Sequence, residues 1–195
     1  MEAGRFVVHG SHDADRLPDG KVALLVEASM AFGTGHHGTT LGCLLALDRL
    51  LDEGVRGPVL DLGCGTAVLA MAAARTLGGV VIASDIDAVA VEVARANVAA
   101  GGLAGAVECL EADGADHPRI VEAAPYGLVF ANILMPPLLA LAPEIARLLA
   151  GDGRAVLSGL LNEQADAVAA RYAEAGLPER RRELIGDWTT LTLGR

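Results

Sequence analysis

The sequence predicts an α/β fold built around a mostly parallel sheet of seven strands, with an antiparallel hairpin at its C-terminal end. From Gly57 onward, short apolar runs alternate with longer alanine-rich segments at helical spacing, which is typical of parallel strands connected by helices. Near the end of the chain, Gly186 and Asp187 separate two β-prone runs, and such a pair is a hairpin signal. With 52% apolar residues among 195, the chain can bury the core of one α/β domain.

The individual elements follow from the local pattern. A strand is predicted where a short apolar run stands between turn signals, and a helix where apolar residues recur at helical spacing over a longer segment. Pro137 opens one of the helices, a position at which its missing N–H leaves no hydrogen bond unmade. The strands are predicted at 59–62, 80–83, 107–110, 128–130, 155–157, 182–185 and 189–193, and the helices at 68–77, 88–100, 137–149 and 164–175.

The first 55 residues have a different pattern. Two short β-like runs, at 5–9 and 22–27, stand on either side of a turn-rich segment, and a helix is predicted after them at about 39–51. No internal repeat and no flexible linker separates this part from residues 56–195. We therefore expect a single domain, in which the N-terminal part packs on an α/β core.

The charge of the chain argues against a protein that binds nucleic acids or membranes. Fifteen basic against 25 acidic residues give a formal net charge of -10, which opposes binding to a phosphate backbone or an anionic membrane surface. The longest stretch without a charged residue, 28–47, is interrupted by glycines and histidines and is not a transmembrane span. The N-terminus has no signal-peptide pattern. We predict a cytoplasmic protein, without direct nucleic-acid or membrane binding, that attracts a lysine-rich partner.

Cysteine usage predicts neither a disulfide framework nor a metal site. Cys43, Cys64 and Cys109 are odd in number and far apart, with no C-x-x-C pair. A zinc site would need them to converge with His36 or His37 from distant segments, and no ligand-spacing motif supports this. We therefore expect reduced cysteines that pack in the core, and no metal.

A glycine-rich turn follows the first strand of the predicted sheet. Gly63 and Gly65 let the backbone pass close to a ligand, and the helix that follows offers unpaired N–H groups to it. The dinucleotide fingerprint G-x-G-x-x-G would need a glycine where Val68 stands, and it usually lacks an acid at the position of Asp61. An acid there suits a ligand with a positively charged amino group. The turn therefore points to S-adenosylmethionine, with NAD as the weaker alternative.

Two further acidic residues follow later strands. Asp85 lies 22 residues beyond Gly63, at the carboxyl edge where open α/β sheets bind ligands, and its carboxylate can accept both hydroxyls of a ribose. Asp113 follows the strand that ends at Leu110 and is placed to accept a hydrogen bond from an adenine amino group. The alternatives are a helix cap or turn former for Asp61 and Asp85, and a solvated loop carboxylate for Asp113.

Three motifs carry a resemblance to a known family. They are A-F-G-T-G-H-H-G-T-T at 31–40, D-L-G-C-G-T at 61–66 together with D-I-D at 85–87, and A-N-I-L at 131–134. The sequence resembles class I S-adenosylmethionine-dependent methyltransferases and, among them, the bacterial methyltransferases of ribosomal large-subunit protein L-eleven. The resemblance spans nearly the whole chain and implies a three-layer Rossmann-like fold. It also implies methyl transfer to amino groups of a ribosomal protein, on lysine side chains or an N-terminal amine.

The resemblance also assigns roles to residues. It places Thr40, Gly63, Asp85 and Asn132 in contact with the cofactor, and Asn132 is in addition the catalytic candidate, because it can hold the methionine part or orient the acceptor nitrogen. The neighbouring residues that we add to the cofactor site are Phe32, Gly33, Thr34, Gly35, His37, Asp61, Cys64, Gly65, Ile86, Asp113 and Ile133. His36 or His37 either relays a proton or only shapes the cover of the cofactor.

The departures from related patterns limit the choice of substrate. Ile133 and Leu134 stand where N-P-P-Y stands in methyltransferases of planar amides and nucleobase amines, which favours an aliphatic amine as acceptor. Ala67 occupies the third glycine position of the family's turn.

Full-length relatives place a substrate-recognition domain before the segment that begins here near Glu2, so the resemblance implies that this domain is absent. Methylation of another protein or a small molecule, or cofactor binding without catalysis, remain alternatives; we expect a monomer.

Overall fold

The computed structural model describes residues 1–27 and 37–195, without the side chains of residues 14–16 and 37. The strands of this part are β1 (Glu2–Ala3), β2 (Phe6–His9), β3 (Val22–Leu25), β4 (Val59–Leu62), β5 (Val81–Asp85), β6 (Val107–Glu111), β7 (Tyr126–Asn132), β8 (Leu149–Leu161), β9 (Glu179–Ile185) and β10 (Trp188–Leu193). The helices are α1 (His37–Asp52), α2 (Val68–Thr76), α3 (Ala88–Ala100), α4 (Pro118–Ala123), α5 (Met135–Leu148) and α6 (Ala165–Glu174), with single 3-10 turns at Ser11–Arg16 and Asn162–Gln164.

The larger sheet has seven strands in the order β6-β5-β4-β7-β8-β10-β9. Neighbouring strands are parallel from β6 to β8, whereas β10 is antiparallel to both β8 and β9. The prediction of a mostly parallel sheet with a C-terminal hairpin is therefore confirmed. The hairpin folds back so that β10 is the inner strand and β9 the edge strand. Burial explains this order, because residues 189–193 are buried whereas β9 is largely charged and exposed.

Helices cover both faces of this sheet, as the predicted three layers require. Residues of α1, α2 and α3 form one apolar cluster with the sheet, and residues of α4, α5 and α6 form the other. Alternate residues of the central strand β7 point to opposite layers, because Leu128 and Phe130 belong to the first cluster and Val129 and Ala131 to the second.

The N-terminal strands form a separate small sheet on the side of α1 and α2. Strand β1 pairs antiparallel with β2, and β2 pairs parallel with β3. Phe6 and Leu24 are buried in the cluster that contains α1. The Arg5 guanidinium forms ion pairs with Asp48 and Asp52 on α1. This sheet thus packs directly on the helix that precedes the core.

Two glycines let α1 lie close against the inner strand of the hairpin. A Cβ atom at Gly38 would lie 2.9 Å from Cδ1 of Trp188, and one at Gly42 would lie 2.1 Å from Oγ1 of Thr190. A larger side chain at either position would move the helix away from the sheet. The first turn of α1 is held in this way beside the carboxyl edge of β8.

The structure adds two elements that the sequence pattern did not predict, β1 and α4. Strand β1 has two residues and α4 has six, which is too short for either period to be visible. Strand β8 is longer than predicted because it begins at Leu149 and includes a glycine-rich polar stretch. Helix α5 begins two residues earlier than predicted, at Met135, because both prolines that follow fit in its first turn.

Within the described ranges, no helix combines the length and apolar character needed to cross a bilayer. The same residues contain no group of three or more histidine, cysteine or acidic side chains that could hold a metal ion. All three cysteines are buried thiols. Burial raises the pKa of the Cys43 thiol and of the Cys64 thiol, so both are protonated packing groups.

Candidate functional site

A cavity of about 330 Å³ opens at the carboxyl edge of the large sheet. It lies at the ends of β4 and β7, where the order of the strands reverses, which is the place where open α/β sheets bind ligands. Its volume falls within the range of small-molecule pockets. The residues that line it are Thr39, Thr40, Asp61, Gly63, Cys64, Gly65, Thr66, Val68, Leu69, Asn132, Ile133, Leu134 and Gly159.

The floor of the cavity is the turn from β4 into α2. Gly63 and Gly65 have positive φ values of 65° and 53°, a conformation that costs glycine little and other residues more. A Cβ atom at Gly63 would in addition lie 2.3 Å from Cγ2 of Ile133. The backbone of the turn can therefore reach both the cavity and the β7 segment only because glycine stands at residue 63.

Ala67, the last residue before α2, also has a positive φ, of 62°. An L-residue with a Cβ atom pays about 1–2 kcal/mol for this conformation. In Ala67→Gly the relief of this strain offsets both the extra entropy of glycine in the unfolded chain and the loss of a fully buried methyl group, each worth about 1 kcal/mol or less. The free energy of unfolding should therefore change by less than about 1 kcal/mol, as measured by thermal or urea unfolding. The matched control Ala72→Gly, in the buried interior of α2, loses the same methyl group without relief of strain and should lower stability by about 2 kcal/mol. An equal loss in both variants would contradict the strain at residue 67.

Asp61 brings a carboxylate into the wall of the cavity from the middle of β4. Only 1% of the residue is exposed, and its Oδ2 accepts a hydrogen bond of 3.0 Å from the backbone N–H of Ala70, in the first turn of α2. Burial, with a smaller contribution from the negative charge of Asp85, raises the pKa of Asp61 to about 7. A cationic group in the cavity would stabilise the ionised carboxylate. Asp61 thus satisfies one N–H of the first turn of α2 and offers a carboxylate to the cavity.

Asp85 joins the turn to the neighbouring strand. Its Oδ2 accepts a hydrogen bond of 2.9 Å from the N–H of Gly65, and its Oδ1 accepts one of 3.1 Å from the N–H of Asp87. Each carboxylate oxygen can accept further hydrogen bonds. Ile86 beside it is 66% exposed, and Asp113 is exposed beyond the end of β6. These three residues lie along the carboxyl edge but are not part of the cavity wall.

The opposite wall is the segment that leaves β7. Asn132 is the last residue of β7, and Ile133 and Leu134 lead into α5. Ile133 is held between two glycines, since a Cβ atom at Gly159 would lie 2.3 Å from the backbone oxygen of Ile133. Gly159 has a φ of 82° within β8. Gly159 was not among the predicted site residues, although a glycine inside an apolar strand indicates a close backbone approach.

Thr66 belongs to the motif at 61–66 but was not among the predicted site residues. It is 3% exposed, and its Oγ1 is buried without a hydrogen-bond partner. A buried hydroxyl without a partner is costly, and this one belongs to a residue that lines the cavity. The hydroxyl oxygen is itself shielded from solvent, so Thr66 lines the cavity with its other atoms.

The predicted cofactor residues fall into three groups. Asp85, Ile86 and Asp113 follow or end the neighbouring strands β5 and β6, outside the cavity wall. Phe32, Gly33, Thr34, Gly35 and the alternative relay His36 lie outside the described residues, and of His37 only the backbone, at the start of α1, is described. The remaining residues meet in the wall of the cavity; they are Thr40, Asp61, Gly63, Cys64, Gly65, Asn132 and Ile133.

Strand order, helical layers and a ligand-sized cavity above a glycine-rich turn define a Rossmann-like fold of the class I methyltransferase type. Within that class, the family model described as "Ribosomal protein L11 methyltransferase (PrmA)" matches residues 1–195. The chain belongs to this family.

Named relatives agree with this assignment. The chain is 50% identical over 193 residues to a ribosomal protein L11 methyltransferase of Bradyrhizobium diazoefficiens, covering 99% of this chain and 65% of the relative. It is 47% identical over 195 residues to that of Rhodopseudomonas palustris, covering 100% of this chain and 66% of the relative. The chain thus spans about two thirds of the length of these relatives.

A solved structure supports the fold. The ribosomal protein L11 methylase of Lactobacillus delbrueckii subsp. bulgaricus superposes with a TM-score of 0.84 at 24% identity, covering 96% of this chain and 92% of that one.

Proposed function

We propose that the chain binds S-adenosylmethionine and transfers its methyl group to an amino group of a protein, with a ribosomal large-subunit protein as the first candidate. One observation carries the proposal. The cavity between the turn at 63–66 and Asn132 has the buried carboxylate of Asp61 in its wall. The family and the names of the relatives support a ribosomal protein as substrate.

Residues of the cavity wall and of the carboxyl edge outside it match the groups of this cofactor. Asp61 holds the ammonium group of the methionine part. Asp85 accepts the ribose hydroxyls. The exposed side chain of Ile86 covers one face of the adenine, and Asp113 accepts its amino group. When bound, S-adenosylmethionine supplies an electrophilic methyl group on a positively charged sulfur.

The acceptor amine must lose its proton before it reacts. The reference pKa of lysine is about 10.4, and a site of low dielectric constant beside a positive charge lowers it. The side-chain oxygen of Asn132 accepts a hydrogen bond from the neutral amine and orients its lone pair. Leu134, which is 66% exposed at the cavity, contacts the methylene groups of a lysine side chain. Positioning and exclusion of water thus supply the catalysis, and no dedicated base is required.

Calorimetric titration with S-adenosylmethionine, with NAD as the control ligand, tests the first part of the proposal. We expect micromolar binding of S-adenosylmethionine and no binding of NAD. The absence of binding by S-adenosylmethionine would contradict the proposal.

The role of Asn132 is tested with the variant Asn132→Ala and labelled methyl transfer to purified large-subunit ribosomal proteins. We expect turnover to fall by about a hundredfold, because the amine loses its orienting hydrogen bond, while the Kd for S-adenosylmethionine changes much less. Equal losses in turnover and affinity would make Asn132 a cofactor contact only.

A further inference from the structure

One buried amide side chain in the α3 layer has no role in the site described so far. The inner face of α3 is formed by Val91, Ala94, Asn97 and Val98, and all of these except Asn97 are apolar. Asn97 is 3% exposed. Because an amide buried in an apolar layer costs free energy unless it is hydrogen-bonded, its partners indicate what it contributes.

Both partners of Asn97 are backbone groups from distant parts of the chain. Its Nδ2 donates a hydrogen bond of 3.1 Å to the carbonyl oxygen of Thr66, and its Oδ1 accepts one of 3.2 Å from the N–H of Glu27. These segments are 31 and 70 residues away in sequence. A single side chain thus joins the N-terminal part of the chain to the turn between β4 and α2.

Both joined segments lead to the wall of the cavity. Thr66 lies in the turn itself, and its buried hydroxyl has no partner. Glu27 is followed by residues 28–36, after which α1 begins and brings Thr39 and Thr40 to the cavity. Asn97 is not among the residues that line the cavity. It can therefore affect a ligand only through the segments that it holds.

We propose that Asn97 is a positioning residue for the cofactor: it fixes the carbonyl of Thr66, and with it the backbone of the turn between β4 and α2, relative to the chain at Glu27. The second hydrogen bond prevents the amide from rotating, because both ends of its planar group are occupied. This inference rests on the proposed binding of S-adenosylmethionine.

The variant Asn97→Asp separates the two hydrogen bonds. An ionised carboxylate still accepts from the N–H of Glu27 but can no longer donate to the carbonyl of Thr66. At pH 8 we expect the Kd for S-adenosylmethionine, measured by calorimetry, to rise about tenfold relative to wild type. Burial raises the pKa of such a carboxyl group, and its protonated form donates again. The ratio of the two Kd values should therefore fall towards one as the pH is lowered towards 6.

Two further variants make the result specific. Asn97→Leu has no titratable group, so its Kd should be raised at both pH values; it also carries the test if Asn97→Asp fails to fold. Tyr126→Phe removes a buried hydrogen bond of 2.8 Å to the carbonyl of Ile120, away from the cavity. This control should lower the unfolding temperature and change the Kd by less than about twofold.

The possible outcomes distinguish this inference from the proposed function. If wild type binds S-adenosylmethionine and both Asn97 variants bind it equally well, Asn97 has only a structural role and the inference is overturned. A Kd of Asn97→Asp that is raised by the same factor below and above the pKa of the introduced carboxyl group, as measured by NMR titration, overturns the role of the hydrogen bond to Thr66. If wild type itself does not bind, the proposed function fails and this inference fails with it.

Discussion

Replacement of Asp61 by asparagine is expected to weaken the binding of S-adenosylmethionine by about a hundredfold or more at pH 8. Breaking a buried ion pair by removing one partner costs about 3–5 kcal/mol, and Asp61 is the buried carboxylate in the cavity wall. The amide oxygen of the new side chain can still accept the hydrogen bond from the N–H of Ala70, so this N–H of the first turn of α2 stays satisfied. Calorimetric titration measures the effect.

The same substitution is expected to stabilise the protein without ligand above pH 7. Burial raises the pKa of Asp61 from 3.8 to about 7, so between about pH 4 and pH 7 the folded state holds a proton that the unfolded state has lost. Wild type therefore loses stability as the pH rises through this window, by a few kcal/mol in total. The variant, which has no proton to lose there, escapes this loss. Urea unfolding at pH 5 and pH 8 measures the difference.

A matched control separates the role of the site from a general effect of charge. Asp152→Asn removes one negative charge from an exposed residue in the first half of β8, outside the cavity. It should change neither the Kd for S-adenosylmethionine nor the pH dependence of stability. If Asp61→Asn bound the cofactor as tightly as wild type, Asp61 would not be the partner of its ammonium group.

Replacement of Gly159 by alanine is expected to lower the free energy of unfolding by about 2–5 kcal/mol. The positive φ of 82° costs about 1–2 kcal/mol for a residue with a Cβ atom, and overpacking adds about 1–3 kcal/mol. The new methyl group would lie 2.3 Å from the backbone oxygen of Ile133. Because a backbone segment must move, Asn132 moves with it, and cofactor affinity should fall as well. Urea unfolding and calorimetric titration measure the two effects.

A comparison with Gly63→Ala tests the origin of this loss. At Gly63 the new methyl group would meet the Cγ2 atom of Ile133, whereas at Gly159 it would meet the backbone of Ile133. The additional substitution Ile133→Ala should therefore recover part of the stability of Gly63→Ala and none of that of Gly159→Ala. Equal recovery in both double variants would contradict the close approach of Gly159 to the backbone.

The fold and part of the candidate site could be predicted because they depend on local patterns. Short apolar runs between turn signals indicate the strands of the core, and glycines at residues 63 and 65 mark the turn. Residues that follow parallel strands share one edge of the sheet, so Asp85 and Asn132 could be assigned to the same region. The motif at 31–40 is one of the three that carry the resemblance, but residues 28–36 lie outside the described part of the chain.

The sequence by itself determined the strand and helix pattern, the ligand edge of the sheet and the acidic residues on it. Only the tertiary structure decided that Ile133 passes between Gly63 and Gly159, that the Thr66 hydroxyl is buried without a partner, and that Asn97 joins segments 31 and 70 residues away. The physical reason is that the periodicity of apolar residues indicates only which face of a helix or strand is buried. Which backbone groups come within hydrogen-bond distance depends instead on how distant elements pack.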